Sequence, residues 1–298
     1  MEKITHLSSS EIPEKFSIFK MHLCFIEKGW IKKNDRVRVE TYKSLTGHLF
    51  SCIFHRDDSQ QIERMDLLIV QDDVTTEEID LFFNEILTEK NIENLAGWIQ
   101  MNFQSENFDY VFKEINKRIG FGYGEDSNKW NHNIFLAPTC KQMEIAVPQG
   151  YQLGPLHACH VEMITSQWAQ DIGISVENSN PDFSLASVVM SNISNRPSYG
   201  IFTKGEPSKL VAWVAVYPGG CVGMLHVAAD HRRRGLARIL VRRTLKVIQD
   251  THGMSYRAHT CAFKTNTQSC NLFLSEGWEL QPYNYKKMFF RQADLSKQ

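Results

Sequence analysis

The sequence predicts an α/β (α+β) fold in two domains, an α/β unit over 1–140 and, over 150–298, a mixed central sheet with flanking helices. Three observations carry this expectation. The chain has 298 residues, and roughly 150 residues per domain suggests about two. Hydrophobic residues make up 42% and charged residues 22%, near ordinary globular proportions, which argues against wholesale disorder, collagen or coiled coil. Short strand-like runs alternate with helical periodicity along the whole chain, and the longest helical pattern follows directly on a series of strands.

The first half opens on a helix expected over Ser10–Glu27, led by serine caps. Three strands are expected next, over Arg36–Tyr42, His48–His55 and Met65–Gln71. A helix over Thr76–Thr88 follows, with Thr75-x-x-Glu78 as its capping box. A further helix is expected at Phe108–Ile119 and a strand at His132–Leu136, before the Pro/Gly-bearing connection Pro138–Gly150 that marks the domain boundary. The second half reads as strand (Gln152–Leu156), helices (Ala158–Ala169, Pro181–Ile193) and three strands (Tyr199–Lys204, Leu210–Tyr217, Val222–Ala228). A long helix (Gly235–Thr251), a strand (Tyr256–Phe263), a short helix (Thr267–Glu276) and a last strand (Tyr283–Phe290) complete it. The two halves have loosely similar element orders without a residue-level repeat.

Composition also bounds function. Lys and Arg number 33 against 34 Asp and Glu, a balance that does not suit a dedicated nucleic-acid binder. The longest clean apolar stretch, Leu210–Tyr217, is eight residues, against the roughly 20 needed to span a bilayer. The seven cysteines are scattered, with no C-x-x-C pair, so reduced thiols in an intracellular protein fit better than disulfides or structural zinc. The N-terminal segment has no apolar signal core, and cytoplasm is the expected compartment. Esterase, P-loop and zincin motifs are absent. His157-x-Cys159-His160 has metal-ligating residue types, but a helix start is the better reading.

One segment breaks a local rule. In Leu225-His226-Val227-Ala228-Ala229-Asp230-His231-Arg232-Arg233-Arg234-Gly235-Leu236-Ala237-Arg238 a strand ends, a loop turns and an amphipathic helix starts. Helix N-termini carry partial positive charge and unpaired N–H groups, so acidic residues belong there. Arginines stand there instead. A polyphosphate is the natural missing anion, because a glycine lets its oxygens reach the backbone N–H groups.

Arg232-x-x-Gly235-x-Ala237 is similar to the Q/R-x-x-G-x-G/A pyrophosphate loop of the GNAT acyltransferase superfamily. A second stretch, Asn266 through Gly277-Trp278, resembles that superfamily's other signature: Asn, a small residue at +3, an aromatic at +7 and Gly-aromatic at +11 and +12. By contrast, Gly120-x-Gly122-x-Gly124 follows the end of a helix and reads as a C-cap and loop. The resemblance implies a GNAT fold for the second domain, and for the first a degenerate GNAT-like half is one reading. It implies acyl-CoA or acetyl-CoA as co-substrate, without metal, held by Leu225, Val227, Arg232, Arg233, Arg234, Gly235, Leu236, Ala237, Arg238 and Asn266. More narrowly, Trp168, Asn195-Arg196-Pro197-Ser198-Tyr199 and Trp213 resemble the glycine N-acyltransferase family, which acylates the amine of glycine or a similar small amino acid. That narrower resemblance makes a mitochondrial location the alternative to cytoplasm. Where that family places a glutamate, this chain has Cys221 after Gly220.

The expected activity is therefore acyl transfer from acyl-CoA to a small amine by a monomer, with neither nucleic acid nor membrane as partner. An amine with pKa about 10.4 is almost wholly protonated at neutral pH, so a general base is worth roughly 10²–10⁴-fold. His226 and Cys221 are the candidate catalytic residues, and Asp230 acts through water or pairs with the arginines. Phe273 occupies the position where the superfamily often has a tyrosine acid, leaving Tyr283 and Tyr285 as substitutes. The alternatives are a protein or polyamine acetyltransferase, a catalytically degenerate CoA-binding GNAT, or an anion-binding module built on the arginines.

Overall fold

The structure, a computed structural model, describes residues 1–4, 37–56, 62–69, 74–89, 91, 95–103, 110–118 (without 112 and 116), 131–139, 146–172, 185–217, 220–253 and 257–289. The helix expected at Ser10–Glu27 and the segment Gly120–Gly124 lie outside these residues. Among the described residues, no helix is long and apolar enough to cross a membrane.

The first half contributes β1 (Glu2–Ile4), β2 (Val37–Lys43), β3 (Leu49–Arg56), β4 (Ile62–Ile69), α1 (Thr76–Ile86), β5 (Leu95–Phe103) and β6 (Asn131–Leu136). Strands β2, β3 and β4 form an antiparallel meander, and α1 crosses over so that β5 pairs parallel to β4. The capping box at α1 forms as expected: Glu78 N–H donates to Thr75 Oγ1 (3.2 Å) and Thr75 N–H to Glu78 Oε2 (3.0 Å). Ile79, Phe82, Phe83 and Ile86 of α1 are fully buried against Phe50, Phe54 and Leu67. Burying each such side chain contributes about 1.5–3 kcal/mol. Strand β5 was not expected from the sequence. Its run Leu95-Ala-Gly97-Trp-Ile lacks period-2 alternation, which an interior strand between two others does not need.

The second half contributes β7 (Tyr151–Pro155), α2 (Val161–Ile172), α3 (Leu185–Asn195), β8 (Ser198–Thr203), β9 (Leu210–Val216) and β10 (Val222–Val227). It continues with α4 (Leu236–His252), β11 (His259–Phe263), α5 (Thr267–Ser275) and β12 (Glu279–Phe289). Strands β10-β9-β8-β7 make one antiparallel sheet. Helix α4 packs Leu236, Ile239, Leu240, Val241 and Ile248 against the β8–β10 region, and α2 and α3 bury Ile164, Trp168, Val189 and Ile193 against Trp213 and Met224.

The first sheet runs β1-β2-β3-β4-β5-β12-β6-β11. Strand β12, at the end of the second half, pairs with β5 of the first. Strand β6, at the end of the first half, lies between β12 and β11. The halves thus exchange strands, and each repeats one motif: three antiparallel strands, a helix, and a strand running parallel to the third.

Candidate acyl-CoA site

Strand β10 is the edge of one sheet and β11 the edge of the other. They meet at a parallel bridge between Cys221 and His259, reinforced by Thr260 Oγ1 donating to the Val222 carbonyl (2.7 Å). Among the described residues no further bridge joins β10 to β11, so this point is the apex of a V of unpaired strand edges. A bulge assists: the β9–β10 register shifts between Gly223 and His226, with Met224 at φ 51°. Ala228 N–H donates to the Val211 carbonyl (2.9 Å), so by ladder alternation Val227 turns its N–H and C=O away from β9, toward the open side. Leu225 lies within the bulge, where that alternation is interrupted. Backbone groups of β10 therefore line the cleft.

The chain leaves β10 through a 3-10 turn (Ala229–His231) and enters α4 with Arg233 (φ 59°) and Gly235 (φ 77°) left-handed. Gly235 is the N-cap, contributes no side-chain cap bond, and a Cβ built on it meets nothing within 4 Å. The first turn of α4 contains no acidic residue. An exposed helix start with uncapped N–H groups and open space above it is what a phosphate requires. Leu236 is buried in the core, so only its backbone faces the loop.

The four arginines have different circumstances. Arg232 Nε donates to the Val227 carbonyl (2.9 Å), tying the loop to the cleft wall. Arg234 Nη1 donates to Tyr151 Oη (2.8 Å) and Nη2 to the Asp230 carbonyl (3.1 Å). Arg233 is exposed and has no carboxylate partner among the described residues. Arg238, expected to share the anion, pairs with Glu276, which also takes Arg242. Asp230 makes no ion pair among the described residues, contrary to the pairing expected with the arginines, and engages Arg234 through its backbone.

Asn266 is the N-cap of α5, its Oδ1 accepting from Ser269 N–H (3.0 Å), which explains the Asn-x-x-Ser spacing by helix capping. Gly277 (φ 75°) ends the same helix, with Trp278 N–H returning to the Phe273 carbonyl (3.0 Å). Phe273 is 3% exposed, stacks on Phe135 and meets Trp278 edge to face, so it is core and offers no proton. The side chains of Tyr283 and Tyr285 lie outside the described residues. His157 and His160 form the expected helix start, with His157 N–H donating to His160 Nδ1 (2.9 Å).

His226 points to the α2/α3 face of β10. Its ring stacks on Trp213 (4.4 Å between centroids, 20° between planes), and Nδ1 meets Asp171 Oδ2 at 2.8 Å. A carboxylate only accepts, so Nδ1 carries a proton, and in the neutral ring the lone pair is on Nε2. No local pattern pointed to Asp171, which lies near the end of α2 and 55 residues from its partner. Cys221 sits at the apex of the V, and the neighbour absent from its sequence surroundings is supplied by β11: His259 and Cys261 bring their ligand atoms within 4.8 Å of its thiol and of each other.

Residues 198–286 match the family model described as FR47-like protein. No curated protein matches the sequence. Among solved structures, a Drosophila protein superposes over 96% of this chain and 98% of its own, with TM-score 0.64 and 17% identity. A GCN5-related N-acetyltransferase from Kribbella flavida matches over 93% of this chain and 97% of its own (TM-score 0.49, 12% identity). One from Sphaerobacter thermophilus matches over 99% and 98% (TM-score 0.48, 10% identity). The chain has a mixed α+β fold, and its likeness to the Drosophila protein, at 17% identity, is one of fold alone.

Proposed function

We propose that the protein is an acyl-CoA-dependent N-acyltransferase acting on the amine of a small acceptor, by direct attack on the thioester. The observation that carries this reading is the V between β10 and β11 leading straight to an uncapped, arginine-rich helix start. In this reading Arg232, Arg233, Arg234 and the N–H groups from Gly235 to Arg238 receive the pyrophosphate. The backbone of Leu225 and Val227 receives the pantetheine arm, and a main-chain N–H there polarises the thioester carbonyl. Gly235 and Ala237 leave room for phosphate oxygens, while Asn266 and Arg238 serve mainly by holding α5 and α4 in place. Residues 150–298 form the acyl-CoA unit and 1–140 the accompanying α/β unit.

His226 is the general base. Its Nε2 takes a proton from the acceptor amine as nitrogen attacks the acyl carbon; the C–N bond forms, the C–S bond breaks, and the departing thiolate takes up the proton. Asp171 fixes the tautomer and steadies the imidazolium formed in between. An acceptor of the glycine or small amino acid type rests on the resemblance over residues 168–213. The test is thiol release from a panel of acyl-CoAs against glycine, other amino acids, polyamines and a lysine peptide. Turnover with a small amine is expected. Turnover confined to the peptide would overturn the acceptor class, and none with any pair would overturn the activity.

A further inference from the structure

The apex of the V holds a group of side chains that acyl transfer does not use. Cys221, just before β10, faces His259 across the parallel bridge, and Cys261 stands two residues along β11, on the same face as His259. Their three ligand atoms lie within 4.8 Å of one another; His259 is 2% exposed and both thiols are partly buried. We propose that Cys221, His259 and Cys261 form a binding site for a thiophilic d¹⁰ cation of the zinc class.

The chemistry and the placement agree. Two sulfurs and an imidazole nitrogen are the donor set that Zn²⁺ takes in preference to Mg²⁺ or Ca²⁺. Bonds of about 2.3 Å to sulfur and about 2.0 Å to nitrogen in a tetrahedron put ligand atoms roughly 3.5–3.8 Å apart. Closing from 4.8 Å to that spacing asks only for small side-chain rotations, because the bridge and the Thr260–Val222 hydrogen bond already hold the strands. A disulfide between Cys221 and Cys261 fits less well. Diagonal neighbours on paired strands have Cα atoms about 7–8 Å apart, beyond the usual 4.4–6.8 Å of a disulfide. Three protein ligands leave a fourth position open, and an ion there would pin the point from which the cleft opens.

The site is tested on the full-length protein with Co²⁺ as a spectroscopic probe, then by displacement with Zn²⁺. One equivalent of Co²⁺ should give tetrahedral d–d bands and a thiolate charge-transfer band. Both should be lost in Cys221→Ser and Cys261→Ser and kept in Cys159→Ser, which removes the exposed cysteine between His157 and His160. Bands that survive in both apex variants, or vanish with Cys159, would overturn the proposal. So that the test does not depend on the folding of an apex variant, alkylation of the wild-type cysteines is mapped by mass spectrometry with and without Zn²⁺. Joint protection of Cys221 and Cys261 is expected, and unchanged labelling of the pair would also overturn it. Neither readout depends on acyl-CoA binding, so the two proposals fail separately.

Discussion

The base proposed for the reaction depends on a carboxylate that only the fold brings to it. His226 was legible because it lies on the strand that enters the arginine loop. Asp171 was not, because a pairing across 55 residues leaves no local pattern. His226→Ala is expected to lower kcat about 10²–10⁴-fold while leaving acyl-CoA affinity nearly unchanged. Asp171→Asn should reduce kcat roughly tenfold or more and alter the pH–rate profile, because an amide no longer enforces the Nδ1–H tautomer. Stopped-flow thiol release across pH reads both, and an Asp171→Asn profile identical to wild type would show that the contact is structural only. The arginines teach a similar lesson. All four stood together in sequence, but Glu276 pairs with Arg238 from another helix, leaving Arg232 and Arg233 as the cations most open to an anion.

Helices with periodic apolar faces and explicit caps were legible one by one, as α1, α4 and α5 show. Strand β5 was missed because its pairing partners, not its own pattern, make it a strand. The cap of α1 also implies a pH dependence. Burial pushes the Glu78 carboxyl up, but hydrogen bonds from Thr46, the Thr75 backbone, Ser44 and His48 outweigh it and hold its pKa at about 2. A carboxyl with a depressed folded-state pKa stabilises the fold fully above its unfolded value near 4.5, and that contribution fades as pH falls toward 2. Glu78→Gln should therefore cost on the order of 1–3 kcal/mol at pH 7 and little near pH 2, measured by urea unfolding at each pH. At the end of α5, Gly277→Ala should cost about 1 kcal/mol, because its φ of 75° disfavours a side chain even though nothing crowds one.

For the whole molecule, the similar order of elements in the two halves could be read from the sequence, but the exchange of β6 and β12 could not. Neither strand carries a mark of which partner it takes, since both satisfy the same ladder. The exchange makes one sheet of strands from both halves, so thermal unfolding is expected as a single cooperative transition. Two separated calorimetric transitions would show that the halves unfold independently. In the proposed function an acyl-CoA pyrophosphate rests on the loop from Arg232 to Ala237. Titration calorimetry with CoA tests it most directly, comparing wild type with Gly235→Asp, whose carboxylate would stand in the space now open above the helix start. Wild type should bind, and the variant, still folded, should bind at least about 100-fold more weakly, a loss of roughly 2.7 kcal/mol. Equal affinity in the two proteins, or no binding by wild type, would contradict it.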